Sequence, residues 1–155
     1  MKILTYLTLL ILPVYGCGFK IIKQSDLVNF HITKVETVGD RKINFDLKNQ
    51  LIFRASDTSK KQIYLNIKSK KDKAIKEKNS KNEITKYQVT IELYIKIHGE
   101  NKTRETMNLS EQIDYSVGSR NSQTINNEKL ASKTLTDTLV NEIIKELSKR
   151  NLNDL

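Results

Sequence analysis

This 155-residue sequence holds one thiol, Cys17, and two imidazoles, His31 and His98, the first candidates for nucleophilic, acid–base or metal chemistry. A lone cysteine cannot close an intramolecular disulfide. With two distant histidines it also cannot supply a zinc-ligand cluster. The chain contains no HExxH, no GxSxG and no P-loop, and its five glycines form no phosphate-cradling loop. The carboxylates are scattered among lysines, and none sits in the apolar setting that tunes a general acid. His31 lies in a strand-like segment and His98 beside a turn, both ordinary structural positions. Neither catalysis nor a metal or cofactor is therefore expected.

The thiol has a different chemistry open to it. Lys2 is followed by an apolar run from Ile3 to Val14, then by Tyr15, Gly16 and Cys17. A cation, an apolar stretch and a small residue in that order make an export signal. The run is far short of the roughly 20 residues that cross a hydrocarbon core. An export signal ending directly at cysteine resembles the lipobox of bacterial lipoproteins. There the thiol takes a diacylglyceryl group, and cleavage leaves the acylated cysteine at the new N-terminus. Val14 and Gly16 fit that pattern, whereas Tyr15 stands where a small residue is usual. An uncleaved anchor and an ordinary signal with a free thiol are the other readings of the same residues. The lipobox reading makes residues 1–16 a signal peptide and 17–155 a single domain lipidated at Cys17, large enough for one core. No second apolar span follows.

The formal net charge is +9, and it is concentrated. Between Lys60 and Lys86 ten lysines face three acids, Asp72, Glu77 and Glu83. Lysine runs often serve as solvated loops or as guards on strand edges. The functional alternative is a landing site for phosphates or anionic lipid. The stretch lacks interleaved aromatics and arginines, which argues against nucleic acid as a partner.

Hydrophobic periodicity supplies the elements around these residues. Gly18–Asp26 reads as a tether. Phe30, Ile32 and Val35 mark an imperfectly alternating strand in Leu27–Val38. Gly39 breaks it, and Asp40 offers an N-cap for a helix over Asp40–Ala55, with Ile43, Leu47 and Leu51 on its inner face. Ser56–Ser59 reads as a turn. Ile63, Leu65 and Ile67 alternate in the next strand. Ser69–Asn82 is either a long hairpin loop or two extended strand ends. Val89, Ile91, Leu93, Ile95 and Ile97 define the clearest strand. It turns at Gly99–Asn101 into an antiparallel partner, Thr103–Tyr115. Val117–Asn127 is polar and reads as a connection. From Glu128 the period becomes helical, with Ala131, Leu135, Leu139, Ile143 and Leu147 in one stripe. The order is β-α-β-β-β-α. One-sided strands and two amphipathic helices predict an α+β two-layer sandwich: a mostly antiparallel four-stranded sheet with both helices on one face.

The Cys17-Gly18-Phe19 start and this element order resemble the LPS-assembly lipoprotein (LptE) family of Gram-negative outer membranes. Gly18, rather than Asp, after the cysteine is similar to lipoproteins sorted to the outer membrane. The resemblance implies an outer-membrane, periplasm-facing, lipid-anchored protein. It would plug and support assembly of an LptD-type β-barrel translocon and bind lipopolysaccharide (LPS). The one site it transfers by position is Cys17. On this expectation Lys68, Lys70, Lys71 and Lys73 meet LPS phosphates or acidic sugars. The alternative is a free envelope lipoprotein that binds anionic lipid or scaffolds a complex without a barrel partner.

Overall fold

A computed structural model describes residues 30–55, 61–99 and 104–150. Cys17, the signal segment, the tether, Leu27–Asn29, the turn expected over Ser56–Ser59 and the Glu100–Asn101 part of the second expected turn lie outside the described residues. The elements are β1 (Phe30–Val38), α1 (Arg41–Arg54), β2 (Lys61–Lys78), β3 (Ile84–His98), β4 (Arg104–Ser116) and α2 (Asn121–Lys149). They form one four-stranded sheet in the order β1-β2-β3-β4. The β2–β3 and β3–β4 ladders are antiparallel, and β1 runs parallel to β2. The sheet is therefore mixed but mostly antiparallel, and the predicted α+β two-layer order holds. The parallel step follows from the chain itself, because a helix between two neighbouring strands carries the chain back to its starting end.

Alternation sorts the side chains. Ile63, Leu65 and Ile67 of β2 and Val89, Ile91, Leu93, Ile95 and Ile97 of β3 are buried on one face. Phe30, Ile32, Val35, Met107 and Tyr115 join them, and the inner stripes of both helices close the same core. Each such side chain contributes roughly 1.5–3 kcal/mol by leaving water. The irregular pattern of β1 has a local cause. Ile32 pairs with Ile63, but Lys34 pairs with Tyr64, so Thr33 is an extra residue. This β-bulge resets the alternation and returns Val35 to the core. The Thr33 hydroxyl donates to the Ile63 carbonyl at 3.0 Å.

The first crossover is pinned at Gly39. It adopts φ +122°, and an added Cβ would lie 2.0 Å from the Ser69 carbonyl oxygen. Asp40 caps α1 as expected, with its carboxylate accepting from the backbone N–H groups of Lys42 and Ile43 at 3.0 Å each. The Asp40 N–H donates to the Ser69 hydroxyl, which donates onward to Asn44 Oδ1 at 2.7 Å. This buried chain of polar groups ties the start of α1 to β2, just past the last β1 pair, Val38 with Lys68.

One open alternative is decided, and one expectation changes. Ser69–Asn82 is no loop: β2 and β3 pair out to Lys78 and Ile84, and only Asn79–Glu83 turns. The lysine-rich stretch is thus the far half of a long hairpin, one of the two forms the sequence allows. The last helix begins at Asn121, upstream of the expected start at Glu128. Its first turns bury no apolar stripe and are held by polar contacts. Gln123 Oε1 accepts from the Ser119 hydroxyl, the Thr124 hydroxyl accepts from the Gly118 N–H, and the Asn127 amide donates to the Ser116 carbonyl.

Candidate site on the open face of the sheet

The helices cover one face of the sheet, and among the described residues no element covers the other. On β2, up to the irregularity after Ile75, the odd-numbered side chains point to the helices and the even-numbered ones away. Lys68 and Lys70 therefore stand on the open face, whereas Lys71 and Lys73 stand beneath α2. The four lysines named from the sequence are not one cluster.

On the helix side the charges are already matched. Glu128, two turns into α2, accepts from Lys71 Nζ at 2.7 Å and from Lys73 Nζ at 2.8 Å. The Tyr115 hydroxyl donates to the same carboxylate at 3.0 Å. Lys73 also lies 4.2 Å from the centre of the Tyr87 ring, which stacks on Tyr115 at 5.7 Å between centroids. The hydrogen bonds from Lys71 and Lys73 pull the Glu128 carboxyl down to about 2. The bond to Glu128 lifts the Lys73 ammonium well above its ordinary value. Hydrogen bonding to the charged form produces both shifts. This group is a latch between β2 and α2. A small cleft of about 210 Å³ beside it mixes Lys42, Lys71, Lys129 and Lys133 with Asp40, Asp46 and Glu128.

The open face carries a larger concavity of about 870 Å³. Strand register places its residues in rows. Asn66 pairs with Lys96, Lys68 with Tyr94, and Lys70 with Glu92. On the next strand Tyr94 pairs with Asn108, and Glu92 with Ser110. Lys68 and Lys96 thus flank the half-exposed Tyr94 ring, and the Lys96 ammonium sits 5.8 Å from its centre. Val38 closes the β1 side. Lys70 is occupied: it bridges Asp72 at 2.5 Å and lies 3.8 Å from Glu92, so its ammonium is held above its ordinary value, first by the hydrogen bond to Asp72. Among the described residues Lys68 and Lys96 make no ion pair. Two ammonium groups around an aromatic ring, edged by Asn66, Asn108 and Ser110, suit a phosphorylated or acidic sugar: point charges for the anion, amides and a hydroxyl for the ring oxygens.

Lys96 and Tyr94 were not singled out from the sequence. The available signal was parity, because even positions on β2 and β3 share the outward face once the hairpin register is known. Both histidines make contacts within the fold. His31 donates from Nδ1 to the Ala55 carbonyl at 3.0 Å, and His98 packs against Tyr64 at 5.2 Å between ring centroids. Among the described residues no group of three or more His, Cys, Asp or Glu side chains converges, and no helix is long and apolar enough to cross a membrane.

No protein-family model and no curated protein matches the chain. Solved structures do. Rare lipoprotein B from Shewanella oneidensis superposes with a TM-score of 0.59 at 9% identity, over 77% of this chain and 97% of that one. A minor lipoprotein from Acinetobacter baumannii gives 0.59 at 14% identity, over 79% and 92%. An uncharacterized lipoprotein B from Nitrosomonas europaea gives 0.57 at 14% identity, over 84% and 90%. At these identities the likeness is one of fold: over 77% to 84% of its length the chain shares its two-layer architecture with bacterial proteins that are described as lipoproteins.

Proposed function

We propose that this chain is a non-catalytic outer-membrane lipoprotein, acylated at Cys17 after removal of residues 1–16. It faces the periplasm, plugs and supports assembly of the LPS translocon β-barrel, and takes lipopolysaccharide on the open face of its sheet. The observation that carries the binding role is the pair Lys68 and Lys96 around Tyr94, in a concavity of about 870 Å³. Lys70 lies at its rim and is shared with Asp72 and Glu92. Lys71 and Lys73, tied up by Glu128, serve the fold rather than the ligand. The lipoprotein reading is supported by the order of residues from Lys2 to Cys17 and by the fold shared with bacterial lipoproteins.

Detergent extraction of outer membranes and affinity capture of the chain test the barrel role. The plug reading requires one large β-barrel protein to copurify in stoichiometric amount. A chain that elutes alone makes it a free envelope lipoprotein instead. Mass spectrometry of the captured N-terminus, expected to show a diacylglyceryl-modified Cys17, tests the anchor separately.

A further inference from the structure

The outer face of α1 is the wrong way round for a helix that meets only water. Ile43, Leu47 and Leu51 satisfy the core, yet Phe45 is 67% exposed, Phe53 is 81% exposed, and Ile52 stands beside Phe53. Spaced i, i+7 and i+8, the three lie on one side of the helix over about 12 Å of its axis. Single exposed apolar residues need no explanation, but an aligned set marks a contact surface. Arg41, Lys42 and Lys48 are exposed around it, and Asp46 is the one acid in the helix. Aromatic and aliphatic side chains rimmed by cations are the composition of a helix lying in the interface of an anionic membrane.

The entry point of the chain favours lipid as the occupant. β1 begins at Phe30 beside the end of α1, where the Ile32 N–H donates to the Ala55 carbonyl at 2.9 Å. From Cys17 to Phe30 a fully extended chain reaches at most about 45 Å. An acyl anchor at Cys17 therefore holds the Phe53 end of α1 within about 45 Å of the leaflet, a range in which α1 can reach it.

We infer that the outer face of α1, through Phe45, Ile52 and Phe53, rests on the anionic lipid leaflet while the protein is not seated in a barrel. The helical layer then faces the membrane, and the open sheet face with Lys68 and Lys96 points away from it, free to receive a ligand. This rests on the reading of Cys17 as the lipidated residue.

The chain contains no tryptophan, so F53W introduces a single reporter. Full-length lipoprotein, with its N-terminal acyl mass verified, is reconstituted into phosphatidylcholine vesicles containing phosphatidylglycerol and lipids brominated near the headgroup. F53W is expected to emit at blue-shifted wavelengths and to lose on the order of half its emission to the brominated chains. Y94W, on the opposite layer, is expected to stay solvent-like and unquenched. Removing phosphatidylglycerol is expected to reduce the F53W quenching. An acylated protein whose F53W emission is as solvent-like and unquenched as that of Y94W overturns this inference alone and leaves α1 to a protein partner. Absence of the acyl mass overturns it together with the Cys17 reading.

Discussion

Replacing Glu128 with Gln removes the one carboxylate that holds Lys71 and Lys73 beneath α2. In the folded protein that carboxyl ionises at about 2, against 4.5 unperturbed, chiefly because both lysines donate to it. The folded state therefore binds fewer protons than the unfolded one at acidic pH, and stability falls as pH falls. The contribution is complete above the unfolded pKa and is lost between about pH 5 and pH 2. A span of that size corresponds to at most about 3 kcal/mol. A quarter of the Glu128 side chain remains in water, so solvent screening reduces the expected value to about 1–2 kcal/mol. For a domain of this size that is a fall in Tm of about 2–8 °C at pH 7. Thermal unfolding by circular dichroism at a series of pH values reads it. The wild-type and E128Q curves are expected to lie apart at pH 7 and to converge near pH 2. E92Q, whose partner Lys70 is exposed on the open face, serves as the control and is expected to move Tm little. Equal Tm values for wild type and E128Q at pH 7, or a gap that does not change with pH, would refute the latch.

Two further substitutions test the packing. Gly39→Ala forces a side chain into φ +122° and against the Ser69 carbonyl, and is expected to cost about 2–4 kcal/mol in urea unfolding. A loss below about 0.5 kcal/mol would mean that the crossover is not pinned there. Leu139→Ala empties a fully buried position on α2 and is expected to lower the urea midpoint by the equivalent of about 2–5 kcal/mol with an unchanged slope.

What the sequence made legible follows from where its alternation is unbroken. On β3 every second residue from Val89 to Ile97 is a buried aliphatic, so the strand and its inner face could be read directly. On β1 the same rule stumbled at Thr33, because a bulge shifts parity without leaving a composition signal. The first turns of α2 were missed for a related reason. They are held by Gln123, Thr124 and Asn127 reaching back to the preceding link, and hydrogen bonds have no hydrophobic period. The lysines show the limit most clearly. Their density was plain, but assigning Lys68 to one face and Lys71 and Lys73 to the other needs the strand to continue past Ser69, which the polar composition there does not signal. Seeing that Glu128 neutralises the latter pair needs a contact across more than fifty residues. The inner stripe of α1 was legible, but its outward Phe45 and Phe53 fit no single-sided pattern.

On the proposed function, position on the open face, not basicity in general, makes the site. Lys76 and Lys78 lie on the same strand as Lys68 and are exposed near the hairpin tip, away from the concavity. K68A/K96A and K76A/K78A remove equal charge, so equilibrium binding of lipopolysaccharide to the two double variants separates the two accounts. K68A/K96A is expected to weaken binding on the order of tenfold at low salt, with a smaller difference at high salt, while K76A/K78A changes it less than about twofold. Equal losses in both variants, or no loss in either, would contradict the assignment of the open face as the ligand site.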